Sequence, residues 1–199
     1  MAIDISTQRI ADCHFAGIDF ESAGSAPGET DQPVQIGIAN VDFWDNRPRL
    51  WESYIAVDRP VRWSASKVHG ITTDMLWDAP SFTSLWGDIR SRLQQTVVIG
   101  HNPSTERRFL RHFPGHGFGP WIDTLVLARL CLPDLTDYSL SSVADALCLQ
   151  PALHDLMPNK TWHDALFDAT ASLLITQEII RQLNLEQQPL ECFGAAIKP

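Results

Sequence analysis

Apolar and polar positions in the first third of the chain alternate with the period of strands. The segments 14–20 (HFAGIDF), 34–43 (VQIGIANVDF) and 50–57 (LWESYIAV) are predicted strands. A loop rich in Gly, Pro and Ser spans 22–33, and Asn46-Arg47-Pro48 forms the turn before the third strand. These short connections predict an antiparallel meander.

The pattern changes after Pro60, where apolar residues take up helical spacing. Residues 81–93 are predicted to form a helix that leads into a short buried strand at 96–99. A strand-to-helix turn follows, with Asn102 as N-cap and Pro103 at the first helical position. Helices and strands therefore alternate in this part of the chain.

Further along, the pattern predicts a short strand, two helices, a loop and a long last helix. These elements lie at 121–123, 124–132, 139–149 and 150–160, and the last helix begins between Thr161 and Asp164 and ends near Leu183. Strands first and alternating elements later predict an α/β fold. Its mixed sheet combines the meander with parallel strands and is flanked by helices.

The length of 199 residues favours one domain, which we place at 13–184. Residues 1–12 and 185–199 are then short extensions, and the tail from Glu186 is expected to be loosely held. We find no internal repeat and no linker that would divide the chain.

Composition narrows the classes of function. Acidic residues number 24 and basic residues 15, giving a net charge of −9, which argues against coating a long duplex through many phosphate contacts. No apolar run reaches the roughly 18–20 residues of a membrane span, and the start lacks the features of a secretion signal. The four scattered cysteines suggest neither a zinc site nor a disulfide framework, so we expect a cytoplasmic protein.

A pair of acids at the end of the first strand is the main candidate for chemistry. Asp19 and Glu21 lie two positions apart, so their side chains project from the same face of the strand. Two neighbouring carboxylates repel each other unless a cation binds them, and their hard oxygen atoms suit Mg²⁺ or Mn²⁺. The alternative is a pair of solvated acids that ends a strand.

His163 and Asp168 form a second candidate pair near the last helix. Five residues correspond to roughly 140° around a helix, so both cannot face the acids from one stripe. His163 is therefore expected in the preceding loop or first turn, where it can act as a general base while the helix fixes Asp168. A helix-capping or solvent-facing histidine is the alternative.

Other polar residues have two interpretations. Glu106 shares an apolar helix face with Phe109 and Leu110, which favours an inward ligand over a solvated acid. The neighbouring arginines could receive phosphates or form a solvated basic patch; they are Arg107, Arg108 and Arg111. Phe20 points away from the acids in a regular strand, although the following loop could bring it under a terminal base.

Six segments, in order, resemble the DEDDh branch of the DnaQ-like 3′-to-5′ exonucleases. They are FAGIDFESAG, KVHGIT, GHNPSTERRFL, IDTLVLARL, YSLSSVADAL and WHDALFDA, and they extend from Phe15 towards Ile180. The resemblance implies a ribonuclease H-like fold and metal-dependent release of nucleoside monophosphates from a 3′ end of single-stranded DNA or RNA.

The resemblance also implies roles for individual residues. Asp19, Glu21 and Asp168 would hold one divalent ion, Mg²⁺ or Mn²⁺, and Asp19 would bridge to a second ion about 4 Å away. Glu106 would complete the acidic set and His163 would be the general base. Contacts to the terminal nucleotides are assigned to Phe20, Ser22, Ala23, His69, Gly70 and Asn102.

One position departs from the family pattern. Glu106 stands where the second motif normally has aspartate, and Thr105 stands where an aromatic residue usually precedes it. The added methylene moves the carboxylate by about one bond length, in a setting where ~1 Å can cost about 10²-fold in rate. Asp123, although more typical of a structural acid, is the nearest candidate for a substitute.

Two further functions share this pattern of residues. A catalytically silent nucleic-acid-binding domain of the same fold would have lost the second-motif aspartate, and a phosphodiesterase of dinucleotides would differ in pocket length. The sequence does not choose between DNA and RNA, because a single contact to the 2′-hydroxyl distinguishes them. It also leaves the oligomeric state open, with a homodimer among the alternatives.

Overall fold

A mixed sheet runs through the centre of the computed structural model, which describes residues 3–42 and 47–198. In these ranges six strands pair in the order β3-β2-β1-β4-β5-β6. They are β1 (His14–Ser22), β2 (Pro33–Asp42), β3 (Arg49–Tyr54), β4 (Val97–Gly100), β5 (Trp121–Asp123) and β6 (Ile197–Lys198). The predicted fold class is confirmed.

Strand directions follow from the lengths of the connections. Connections that are short compared with the helical crossovers join β1, β2 and β3, which are antiparallel as predicted, whereas β4 and β5 run parallel to β1 after helical crossovers. Phe43 and Asn46, which we assigned to a strand end and a turn, lie outside the described residues. The central strand β4 is buried along its whole length because helices cover both faces of the sheet.

Helices pack on the two faces of the sheet and enclose two apolar clusters. In the described residues they are α1 (Trp63–His69), α2 (Trp86–Leu93), α3 (Ser104–Leu110), α4 (Thr124–Cys131), α5 (Leu140–Ala146), α6 (Gln150–Leu156) and α7 (Ala165–Leu183). Phe15 and Leu173 belong to the cluster under α7, and Ile18 and Leu110 to the cluster on the opposite face. None of the helices in the described ranges combines the length and apolar character needed to cross a bilayer.

Two glycines let α7 approach the sheet closely. A Cβ atom at Gly17 would overlap the carbonyl oxygen of Ala169, and one at Gly37 would overlap the backbone of Leu166. Both glycines lie on the face of the sheet that carries Asp19. The close approach therefore places the first turns of α7 directly beside the carboxyl end of β1.

Three expectations about secondary structure were wrong. The segment 150–160 contains α6, whose Leu153 is buried in the main core. The tail is not loosely held, because Leu190 and Phe193 enter that core and β6 pairs with β5. At α3 the capping position is Pro103 rather than Asn102, whose φ of 56° lies in the left-handed region.

The close approach of α7 generates a prediction about stability. Gly17→Ala should lower the free energy of unfolding by about 1–3 kcal/mol, because the new methyl group cannot fit without a backbone shift. Gly87→Ala in α2 is the matched control. A Cβ atom there meets no atom within 4 Å, so the higher helix propensity of alanine should raise the free energy of unfolding by up to about 1 kcal/mol. Urea unfolding measures both; equal midpoints for Gly17→Ala and the unchanged protein would refute the packing argument.

Candidate active site

Four carboxylates from three elements meet at one edge of the sheet. Asp19 and Glu21 project from the last residues of β1, towards the face covered by α7. α3 begins just after β4 ends and contributes Glu106, and the first turn of α7 contributes Asp168. The fold thus brings together acids that are up to 149 positions apart in the chain.

Burial and neighbouring negative charges raise the pKa of all four carboxylates. Burial, followed by the charges of Glu106, Asp168 and Glu21, holds the pKa of Asp19 well above its usual value. Burial and then the charge of Asp168 raise the pKa of Glu21 to about 8. The cluster therefore cannot be fully ionised at neutral pH without a compensating positive charge.

Glu106 and Asp168 each have one carboxylate oxygen that is buried without a hydrogen-bond partner among the described residues. Burial raises the pKa of both groups to about 7. Glu106 is only 5% exposed, and its Oε2 atom, like Oδ1 of Asp168, is buried without a hydrogen-bond partner among the described residues. An unpaired buried carboxylate oxygen is costly, so a ligand for these atoms is expected.

The residues fit a hard divalent cation. One ligand atom from each of Glu21, His163 and Asp168 lies within 4.8 Å of the other two. Carboxylate oxygens are the donors that Mg²⁺ and Mn²⁺ prefer, and a divalent charge would offset the repulsion described above. Asp19 and Glu106 place further carboxylates beside this set.

His163 occupies the loop before α7, as the spacing predicted. Its side chain is exposed, its φ is 66°, and its backbone N–H donates to Oδ2 of Asp168 at 3.2 Å. The next residue, Asp164, caps α7 by accepting the N–H groups of Leu166 and Phe167. One short segment therefore fixes the histidine, the helix start and the ligand carboxylate relative to each other.

Sequence reasoning missed the polar network behind this segment. Lys160 donates through Nζ to Oε2 of Glu52 at 2.6 Å and to Oδ2 of Asp164 at 2.8 Å. Gln35 donates to the same two carboxylates and accepts the N–H of Ala165. Only the i,i+4 spacing of Lys160 and Asp164 was visible in the sequence; the contacts to β2 and β3 depend on the tertiary fold.

Two of the predicted nucleotide contacts are buried. Phe20 is 6% exposed and packs edge-on against Phe82 and Phe109, on the face of β1 opposite the acids. Ala23 is 3% exposed in a small apolar cluster with Ile71. The regular alternation of β1 keeps Phe20 in the core, so the expectation that it contacts a base is wrong.

The loop after α1 lies next to the acids and is fixed by His69. The Nε2–H group of His69 donates to the carbonyl oxygen of Ser22 at 3.0 Å, and Nδ1 accepts the N–H of Ile71 at 3.0 Å. Burial lowers the pKa of His69, which keeps the ring neutral in this arrangement. Gly70 ends α1 with a φ of 76°, so the predicted contact residues Ser22, His69 and Gly70 stand together beside β1.

The turn after β4 is held by structural residues. Oδ1 of Asp123 accepts the N–H of Asn102 at 3.0 Å and those of Leu125 and Val126 at the start of α4. The ring of His101 lies between Thr124 and the carbonyl oxygen of Tyr138. For Asp123 the favoured interpretation was a structural acid, and the structure gives it the role of a cap; Asn102 is exposed next to the helix of Glu106.

Sequence comparisons relate the chain to nucleases and polymerases. An exonuclease family model, RNase T, matches residues 16–176. The PolC-type DNA polymerase III of Thermotoga maritima is 28% identical over 178 residues, 87% of this chain but only 12% of that protein. The DNA polymerase III subunit epsilon of Buchnera aphidicola is 27% identical over 173 residues, covering 82% of this chain and 71% of that protein.

Solved structures share the same architecture. Exonuclease X in complex with 5′ overhanging duplex DNA superposes with a TM-score of 0.67 at 26% identity, over 90% of this chain and 98% of that one. The nuclease domain of 3′hExo, a DEDDh family member, bound to rAMP, gives 0.73 at 13% identity over 94% and 96% of the two chains. The sheet and helices described above are thus those of a ribonuclease H-like exonuclease fold.

The raised pKa values predict how stability depends on pH and metal. In chelator, the free energy of unfolding should fall as pH rises from about 5 to 8.5, because these acids have higher pKa values folded than unfolded. This stabilisation is fully present below the ordinary carboxyl pKa, and it is lost as the pH rises through the folded-state pKa values of about 7 and 8. Mn²⁺ should restore stability at high pH by binding the folded state.

A double variant and an exposed-acid variant make this measurement specific. Asp19→Asn with Glu21→Gln should flatten the pH dependence in chelator, whereas Asp74→Asn, an exposed acid outside the cluster, should leave it unchanged. Urea unfolding at several pH values gives the slopes. An equal slope in the double variant and the unchanged protein would contradict the assignment.

Proposed function

Because this chain belongs to the RNase T exonuclease family, among the DnaQ-like and DEDDh members, we propose that it hydrolyses the terminal phosphodiester at the 3′ end of single-stranded DNA or RNA and releases nucleoside 5′-monophosphates. The observation that carries the proposal is the convergence of Asp19, Glu21, Glu106 and Asp168, with two buried carboxylate oxygens that lack partners in the described chain.

Asp19, Glu21 and Asp168 would hold one divalent ion, and Asp19 and Glu106 would face a second. Such ions would supply activation of the attacking water and stabilisation of the leaving 3′ oxygen. The carboxylates themselves fix where positive charge sits at the end of β1, and the sheet and α7 keep them in place. Mg²⁺ and Mn²⁺ are the proposed cofactors.

His163 is the proposed general base. A neutral imidazole accepts the proton of the attacking water on a ring nitrogen, and its exposed position allows that proton to pass to solvent. The hydrogen bond from its backbone to Asp168 aligns the histidine with the ligand carboxylate. His163 therefore acts from the solvent side of the acids.

Ser22, His69 and Gly70 supply the proposed contacts to the terminal nucleotide. They stand beside the end of β1, where the His69 hydrogen bonds hold the loop against the strand. Asn102 lies on the other side of Glu106 and is exposed to a bound strand. The chain's acidic composition and its free cysteines in the described residues support a cytoplasmic enzyme that holds its strand locally.

A labelled-strand assay tests the proposal. A 5′-labelled single strand, as DNA and as RNA, is incubated with Mg²⁺, Mn²⁺ or chelator. We expect a ladder that shortens from the 3′ end only when metal is present, and Asp19→Ala should lower the rate by about 10²-fold or more. Asp74→Ala is the control for loss of an exposed acid. If the unchanged protein binds the strand and never cleaves it, the catalytically silent alternative holds.

Glu106 needs a variant of its own, because it departs from the family pattern. Glu106→Asp shortens the arm by one methylene, so the rate or the preference between Mg²⁺ and Mn²⁺ should change by up to about 10²-fold without loss of cleavage. The surrounding α3 and Asp123 cap stay intact in this variant. Complete loss of activity would mean that the longer glutamate arm is itself required.

A further inference from the structure

We propose that a cavity beside α3 binds the nucleotide upstream of the scissile one, so that the preferred substrate is a strand of several nucleotides rather than a dinucleotide. This inference rests on the exonuclease function proposed above. The α3 cavity, as we call it, has a volume of about 730 Å³ and is lined by Arg108, Arg111, His112, Phe82, Thr83 and the loop 29–33. Sites for small organic molecules span about 300–1,000 Å³.

The α3 cavity adjoins two elements of the carboxylate cluster, α3 and the end of β1, although none of the four acids lines it. Glu106 and Arg108 project from different sides of α3, about 200° apart around the helix, and the guanidinium of Arg108 is near enough to act electrostatically on Glu106. On the other wall, Pro33 pairs with Ser22 at the end of β1. A strand whose terminal phosphodiester lies at the carboxylates therefore meets this cavity as its next neighbour.

Two guanidinium groups at the cavity are available for a phosphate. Arg111 is exposed and makes no ion pair within residues 3–42 and 47–198. Arg108 lies over the ring of Phe109, 5.1 Å from its centroid, and its one ion pair among the described residues, with Oδ2 of Asp31 at 4.0 Å, is a weak, solvent-screened contact. The other acid of the loop, Glu29, is already engaged by Arg59 and Arg62 at 3.2 and 3.6 Å. Arginine is well suited to phosphate because its planar donors bind two oxygens at once.

An aromatic ring at the same cavity is available for a base. His112 stacks on Phe82 with a centroid distance of 5.5 Å and an interplanar angle of 28°, and its Nε2 lies 3.3 Å from Oγ1 of Thr83. Phe82 in turn packs against Phe20 and Phe113 in the core. His112 is thus an exposed residue whose ring is supported by Phe82 and Phe113, and exposed aromatic rings are the side chains on which single-stranded bases stack.

The combination identifies the ligand class. A phosphate site and a stacking ring at the end of one short helix match the repeating unit of a single strand, and they do so in a chain whose net charge is −9. Arg107, the other arginine within α3, lies over the ring of Trp121 and does not line the α3 cavity. The basic character is therefore concentrated where an upstream nucleotide would lie.

Two substrates of different length test the inference. The p-nitrophenyl ester of thymidine 5′-monophosphate reports on the carboxylate site alone, and a decanucleotide also reaches the α3 cavity. In Arg111→Ala, the ratio of kcat/KM on the decanucleotide to kcat/KM on the ester should fall about tenfold through KM, as expected for one charge-assisted contact. His112→Ala should lower the same ratio.

The control is Arg90→Ala, which removes an exposed arginine of α2 outside the α3 cavity and should leave the ratio unchanged. The salt dependence gives a second readout: the slope of log kcat/KM against log salt on the decanucleotide should become shallower by about 0.7 in Arg111→Ala, as expected for one phosphate contact on a single strand. A ratio and a slope equal to those of the unchanged protein would overturn the inference.

Failure of the exonuclease proposal is distinguishable from failure of this one. If the unchanged protein hydrolyses neither substrate in Mg²⁺ or Mn²⁺, the proposed function fails. Fluorescence anisotropy of the labelled decanucleotide then tests the α3 cavity directly. Weaker binding by Arg111→Ala than by Arg90→Ala supports the upstream site, and equal binding overturns it.

Discussion

Mutual repulsion among four partly or fully buried carboxylates is the constraint on which the active-site region depends. Asp19 and Glu21 are held together by the geometry of a strand, and α3 and α7 add Glu106 and Asp168 from two other directions. The acids come from three elements, and in a flexible chain their repulsion would move them apart. The rigid sheet prevents that movement, and the cluster becomes a site that only a strongly positive ligand can complete.

Core packing fixes the position of α7 and so keeps Asp168 among the other acids. Gly17 and Gly37 bring the helix into backbone contact with β1 and β2, and Asp164 starts it at a defined residue. Asp168 therefore has little freedom to move along or around the strand. In the same way, Asp123 ties the turn after β4 to the start of α4, which orients α3 and Glu106.

The sequence predicts this fold to the extent that local patterns control it. The period-two alternation in 14–20 is enough to put Asp19 and Glu21 on one face, and helix geometry is enough to place His163 outside α7. α1 could not be found in this way, because it has no buried residue and so no apolar stripe. The tail was misjudged because the burial of Leu190 depends on a core built from distant elements.

The candidate site is likewise predictable from the sequence only where local patterns control it. The acids and the histidine are visible as motifs, whereas the link from Lys160 to Glu52 spans 108 positions and exists only in the folded chain. Phe20 illustrates the reverse case, in which the resemblance suggested a contact and the strand alternation, correctly followed, placed the ring in the core.

The bridge from Lys160 through Glu52 and Gln35 to Asp164 has a consequence for local motion. Fraying of the first turn of α7 would break the hydrogen bonds of Asp164 and Ala165 to Gln35 of β2, and also the bond of Asp164 to Lys160, which itself binds Glu52 of the outermost strand β3. The histidine loop, although exposed, is therefore coupled to one cooperative unit of the sheet. Its amide protons should therefore exchange with solvent at the slow rate at which that unit opens, rather than at the fast rate of an independent surface loop.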